Sequence, residues 1–315
     1  MANYSYEKCL ASSYKVNWRI EDIIGGREFD RNKHWLPAAV SGESRIQGLS
    51  TDERRMLTHV EMAAYTHLFG YVEEFIAPKV ADLAKEYEID ERIAFDALTN
   101  FAAEEVKHMN LFKQLRAMVD ETLGFETDLI GGQADTARYV LSKSTGAVLL
   151  LTACIEWFTQ QHYLEAFRDD SDLDPFTTDI FKAHWQEESQ HAQMDHIEAV
   201  RAFSNMDRMQ RDEAVDDLIE LVGAVDGMLQ DQVERDMKNF MTYTNRKMDA
   251  EMADEMRRGL LSAKRWTFIE SGVTHPRFME LIEEVTDEKQ RERIGAALTP
   301  LLGNELMAET AEDAG

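Results

Sequence analysis

The sequence predicts an all-α protein built around a four-helix bundle, and three observations carry that prediction. Proline is scarce, at 5 of 315 residues, while Ala, Leu, Met and Glu, which lose little side-chain freedom in a helix, are plentiful. No stretch alternates apolar and polar residues for long enough to propose a sheet. Four long periodic segments follow one another, parted by short turns rich in Gly, Asp and Pro.

Taken in order, the first fifty residues are mixed, with Gly25-Gly26, Pro37 and Gly42 marking turns. They read as an arm lying over a later core. Segment A starts at Ser50, Thr51 and Asp52, which suit a helix cap, and runs to about Lys85, with Pro78 placed to kink it. Segment B runs from about Asp90 to Leu123 and is ended by Gly124. A loop at Gly131-Gly132 leads into segment C, about Ala137 to Phe167, and a polar turn from Arg168 to Pro175 leads into segment D, about Phe176 to Asn205. Beyond it, Arg211 to Trp266 is periodic and helical, followed by two shorter helices over about His275–Glu284 and Asp287–Leu302. No linker of Pro, Gly and Ser separates these parts. The expectation is a single domain over residues 1–315, with its bundle core at about 50–205 and extra helices at about 206–303. The acidic, small-residue tail after Asn304 is expected to be disordered.

A formal net charge of −26 repels phosphate and anionic lipid, so neither nucleic acid nor a membrane surface is an expected partner. Cys9 and Cys154 make no disulfide framework and no metal motif, which fits a reducing compartment. The first residues carry no apolar run behind a basic start, so no secretory signal is expected and the protein reads as cytoplasmic. The apolar stretch from Ala147 to Phe158 is shorter than the roughly 20 residues needed to span a bilayer. It also contains Glu156, and an ionisable residue in so apolar a run needs a reason.

Segment B contains Glu105-Val-Lys-His108 and segment D contains Glu188-Ser-Gln-His191. In each, residues three apart share one face of a helix, so a carboxylate and an imidazole can reach the same ion. One such tetrapeptide is expected by chance, on the order of one per chain of this composition. The spacing upstream is what decides. Glu73 stands 32 residues before Glu105, and Glu156 stands 32 residues before Glu188. At about 1.5 Å of rise per residue, thirty-odd residues with a short turn return an antiparallel helix to the same level. Segment A offers both Glu73 and Glu74. Val72-Glu73-Glu74-Phe75 parallels Ile155-Glu156-Trp157-Phe158, and Glu73 shares a helical face with Phe69, Ile76 and Val80, whereas Glu74 falls with His67 and Lys85. Glu73 is therefore the expected member of the set.

Four buried carboxylates left unpaired would cost several kcal/mol each. Two divalent ions cancel their charge. Carboxylate oxygens with about one histidine per ion suit Fe or Mn better than Zn, which favours closed tetrahedral nitrogen and sulfur sites.

The two Glu…Glu-x-x-His halves resemble the ferritin-like di-metal carboxylate superfamily over about Ser50 to Asn205. The resemblance implies a ferritin-like four-helix bundle with additional C-terminal helices. Within that superfamily, ferritins are little more than the bundle, and rubrerythrins carry paired cysteines that this chain lacks. Ribonucleotide reductase small subunits place a radical tyrosine four residues after the first histidine, where this chain has Phe112. The halves also differ: His184 lies four residues before Glu188, whereas Phe101 lies four before Glu105. On a helix wheel His184, Glu188 and His191 share a face. This His-x-x-x-Glu-x-x-His arrangement is similar to that of the p-aminobenzoate N-oxygenase family of di-iron enzymes, in which the third histidine ligates iron and aromatic amines are oxidised. Carried over, the resemblance implies the ligand set Glu73, Glu105, His108, Glu156, His184, Glu188 and His191. It implies two Fe ions, with an Mn/Fe pair as the alternative.

The function that follows is O2 activation to oxidise a small organic substrate, with electrons from an external donor because the chain has no flavin or nicotinamide motif. A homodimer is the default assembly. The alternatives are a ferroxidase or peroxide-scavenging protein and a metal-stabilised helical scaffold without catalysis. Thr152, Thr159 and Tyr163 lie near Glu156 in sequence and are expected to be lining or helix-bonded groups, and His67, His162 and His196 lack partners at metal-ligand spacing.

Overall fold

The computed structural model describes residues 4–87 and 91–303. It is helical: α1 Tyr6–Val16, α2 Ile20–Ile24, α3 Ala38–Ser41, α4 Thr51–Ala84, α5 Arg92–Leu123, α6 Gln133–Leu141, α7 Thr145–His162 and α8 Pro175–Ser204. There follow α9 Arg208–Thr244, α10 Ala250–Arg265, α11 Ser271–Val273, α12 Pro276–Val285 and α13 Glu288–Leu298. Two helices run on into a π-turn, Tyr163–Phe167 after α7 and Trp266–Glu270 after α10. Among the described residues, β pairing is confined to one isolated bridge, His34 with Leu173. No helix there is long and apolar enough to cross a membrane.

Helices α4, α5, α7 and α8 form the bundle, with α4 packed most extensively on α5 and α7 on α8. Their ends are set by local chemistry. Ser50 and Glu53 close a reciprocal capping box on α4, Gly124 ends α5 in the left-handed region at φ 85°, and Asp174 caps α8, whose first residue is Pro175. Helix α4 continues through Pro78. The two hairpins have matching arms. Glu73 stands eleven residues before α4 ends at Ala84, and Glu105 thirteen after α5 starts at Arg92. Glu156 stands eleven residues before the π-turn ends at Phe167, and Glu188 thirteen after α8 starts at Pro175. Equal arms and equal connections account for the repeated spacing of 32.

Two expected segments are broken. Segment C divides into α6 and α7 at Ser142–Ser144, where the Ser144 amide leaves the helix ladder and donates to Asp217 on α9 at 2.8 Å. Helical periodicity continues on both sides of the break, which hides it in the sequence. The stretch from Arg211 to Trp266 divides at Asn245, which takes a left-handed φ of 54°, and resumes where Asp249 caps α10. The tail after Asn304 lies outside the described residues.

The extra helices form a second layer. Helix α9 crosses both α4 and α7, and α10 packs on α9. A buried charge cluster pins this layer to the bundle: Lys264 of α10 lies 2.5 Å from Glu61 of α4 and 2.8 Å from Asp236 of α9. The two carboxylates share one cation. Burial, then repulsion from Asp236, pushes the Glu61 carboxyl up to about 8. Folded Glu61 thus keeps a proton that the unfolded chain releases near the usual carboxylate value, so stability falls as pH rises from about 4.5 to about 8. Glu61→Gln should flatten that part of the profile, as measured by urea unfolding between pH 5 and pH 8.

Candidate metal centre

The seven residues singled out in the sequence converge inside the bundle, each at most 2% exposed. Glu74, the rejected neighbour of Glu73, faces outward and is exposed. Glu188 organises the cluster by dividing its oxygens. Oε1 lies 2.5 Å from His184 Nε2 and 3.1 Å from His108 Nδ1, while Oε2 lies 2.6 Å from His191 Nδ1. Glu105 spans the same gap, with Oε1 2.7 Å from His191 Nδ1 and Oε2 3.9 Å from His108 Nδ1. Glu73 Oε1 lies 3.8 Å from His184 Nε2. Glu156 stands against Glu188 and Glu105. Two groups of atoms, each spaced to hold one ion, result: Glu73, His108, His184 and Glu188 form one, and Glu105, His108, Glu188 and His191 form the other.

The donor set passes a simple test of fit to a cation pair. Both oxygens of Glu105, Oε2 of Glu73, Nδ1 of His108 and both ring nitrogens of His184 are buried and make no properly aligned hydrogen bond, although Glu188 and His191 lie close to several of them. Groups of this kind are rarely left so in a packed interior. In the metal-free cluster, protons stand where cations would. Burial, then repulsion from Glu188 and Glu105, raises Glu156 well above the usual carboxylate range. Burial opposes charge on His108 and His191, but Glu188 and its neighbours hold both well above the usual imidazole value. Burial wins at His184, which is lowered.

The sequence reading missed a ring of groups around this cluster. His191 Nε2 donates to Glu104 at 2.8 Å, and His108 Nε2 donates to Glu187 at 2.9 Å. Each of these carboxylates immediately precedes a bundle glutamate, yet it orients the histidine of the opposite hairpin. The residue before each histidine closes the exchange: Lys107 reaches Glu187 at 2.5 Å, and Gln190 reaches Glu104 at 3.1 Å. With Nε2–H bound to a carboxylate, Nδ1 of each ring is left as the lone pair for an ion. The signal was present as a doubled glutamate at the same place in both motifs, Glu104-Glu105 and Glu187-Glu188.

The exchange is not symmetric. Glu187 faces a cation, whereas Glu104 takes the neutral donors Gln190, Asn100 at 3.0 Å and Ser13 at 2.5 Å. Phe101 stacks on His191 at 3.9 Å, while His184 meets His108 edge-on at 4.6 Å. The N-terminal arm completes the ring. Ser13 comes from α1, and Trp18, which follows it, stacks on His108 at 5.8 Å with Lys107 over its face at 4.1 Å.

Other residues resolve into structural partners. Thr152 and Thr159 bond back to Leu149 and Ile155 carbonyls, and Tyr163 stacks on Trp185. His67 reaches the Ile130 carbonyl and His196 pairs with Glu284. His162 reaches the Thr267 carbonyl at 2.8 Å through Nε2, which leaves Nδ1 to accept from the Tyr65 hydroxyl at 3.0 Å.

A family model described as p-aminobenzoate N-oxygenase AurF matches residues 26–265. The chain belongs to this family. It is a non-haem di-iron oxygenase that uses O2 and a small organic substrate. The match begins after α2, so the arm that supplies Ser13 and Trp18 lies outside it. Among solved structures, the chain is similar to an R2-like ligand-binding oxidase with aerobically reconstituted Mn/Fe cofactor. That match has 14% identity over 90% of this chain and 93% of that one, with a TM-score of 0.47. A variant of that oxidase with an Fe/Fe cofactor matches at 13% identity over 90% and 94%, with a TM-score of 0.48. No curated protein matches the chain.

Glu73→Ala should reduce the iron retained after loading and desalting to about one ion per chain or fewer, whereas Glu74→Ala should retain as much as the parent. Glu104→Gln and Glu187→Gln should each weaken iron binding by about 10- to 100-fold, read by competition with a chelator.

Proposed function

We propose that Glu73, Glu105, His108, Glu156, His184, Glu188 and His191 hold two iron ions, with which the protein N-oxygenates an amine. The observation that carries the assignment is the division of Glu188 between His108 and His184 on one side and His191 on the other. Glu188 and Glu105, which face the histidines of both sides, would hold the pair together with Glu73 on the His184 side and Glu156, which stands against Glu188 and Glu105. When bound, the ferrous pair supplies electrons and coordination sites to O2. The chain's own residues do the rest. Glu104 and Glu187 fix the tautomer and tilt of His191 and His108. The buried phenyl rings of Phe69, Phe101, Phe112 and Phe158 keep water from the reacting face. The donor set also accommodates an Mn/Fe pair, since both ions favour oxygen and imidazole ligands.

Electrons for a second turnover would come from an external donor. The two cysteines are free and buried, which fits a cytoplasmic setting, and a homodimer is the assembly we assign.

Protein loaded with two Fe(II) per chain and exposed to 18O2 with an arylamine should yield a hydroxylamine or nitro product carrying 18O, detected by mass spectrometry. Rapid oxidation of many Fe(II) per chain with no labelled product would instead establish a ferroxidase.

A further inference from the structure

A pocket of about 370 Å³ lies behind the bundle, where α6, α9 and the second π-turn cover the outer faces of α4 and α7. Its size is that of a small-molecule site. Val72 and Ile155, which line it, each directly precede a glutamate of the metal cluster, Glu73 and Glu156. Two aromatic rings stand between pocket and cluster. Phe158, in the pocket wall, meets Phe69 edge-on at 6.0 Å, and Phe69 meets His184 edge-on at 5.4 Å.

The chemistry of the lining is one-sided. Among the described residues it includes Leu68, Leu229 and Met228, and no Lys, Arg or His. The hydroxyls at one end are already engaged. Tyr71 donates to the Gly131 carbonyl at 2.9 Å with Thr136 at the same distance, and Tyr139 donates to Glu220 at 2.5 Å. Asp135, the carboxylate of the lining among the described residues, is paired with Arg138, a side chain 71% exposed at the surface. Lys143, which lies against the Tyr139 ring, is held by Glu220 at 2.7 Å and Asp217 at 3.5 Å. A carboxylate entering this pocket would give up its hydration and find no free cation or donor, which costs several kcal/mol. The net charge of −26 opposes its approach as well.

We infer that this pocket is the substrate site and that it selects an apolar, uncharged arylamine and rejects amines that carry a carboxylate. The inference rests on the oxygenase reading for the word substrate, but not for the binding preference. It sets this chain apart from the acid named in the description of its family. The amine is the group that must reach the metals, so rotation of Phe158 and Phe69 opens the way.

The test is binding to the metal-free protein by calorimetry, with two probes that share a ring and an amine: 4-aminobenzoic acid and its neutral ethyl ester. The ester should bind at least about 100-fold more tightly than the acid, the ratio expected when an unpaired carboxylate is desolvated. Val225→Trp or Met228→Trp, which fill the pocket from α9, should abolish ester binding, and Leu68→Arg should raise affinity for the acid by about tenfold or more. Equal affinity for acid and ester, no binding of the ester, or ester binding unchanged in both filled variants would each overturn the inference. Because iron is absent, the outcomes separate the two readings. A protein that binds the ester as described yet gives no labelled product with O2 loses the oxygenase reading and keeps the pocket.

Discussion

The structure depends on one constraint: four carboxylates gather in an interior that water does not reach, with Glu73, Glu105 and Glu156 all set around Glu188. Without compensation, that much like charge would outweigh the stability of a whole domain. Protons relieve part of it, which is why Glu156 is pushed up and His108 and His191 take charge. A pair of divalent cations relieves it more completely. The bundle is best understood as a rigid cage, four helices long enough to bring the charges together and keep them there.

The surrounding groups serve the same constraint. A buried histidine that lends its Nδ1 lone pair to a cation carries an Nε2–H that needs an acceptor, and Glu104 and Glu187 supply those acceptors across the hairpin interface. The cage thus has two interlocked halves, each hairpin orienting the other's histidine. They are interlocked but unequal: Lys107 neutralises Glu187, neutral donors leave Glu104 its full charge, and His184 stands only on the side of His108. The two cation positions therefore differ electronically. The second layer of helices encloses the pocket behind α4 and α7, and the Lys264 cluster fastens that layer to the bundle.

Much of this was legible in the sequence because periodicity and spacing carry it. The repeat of 32 encodes equal hairpin arms, and Glu156 in an apolar run betrays a buried charge. The neighbours Glu73 and Glu74 were separated by helical face and by the parallel with Ile155-Glu156-Trp157-Phe158, and one is buried while the other is exposed. What was not legible depends on contacts between distant segments. The break at Ser142–Ser144 is held by Asp217 from α9, and periodicity on both sides conceals it. The part played by the arm rests on Ser13 and Trp18, which have no motif and gain meaning only once α1 lies across α5 and α8. Glu104 and Glu187 sat in plain view, but a doubled glutamate on a helix usually marks a solvated face. Only the fold shows that both are buried and paired with the far histidine.

The most direct measurement is anomalous X-ray diffraction at the iron edge from crystals of the iron-loaded protein. The account predicts two peaks per chain, about 3.5–4 Å apart, one beside Glu73, His108 and His184, the other beside Glu156 and His191, with Glu105 and Glu188 between them. A single peak, or iron bound elsewhere with Glu188 hydrogen-bonded only to its histidines, would contradict it.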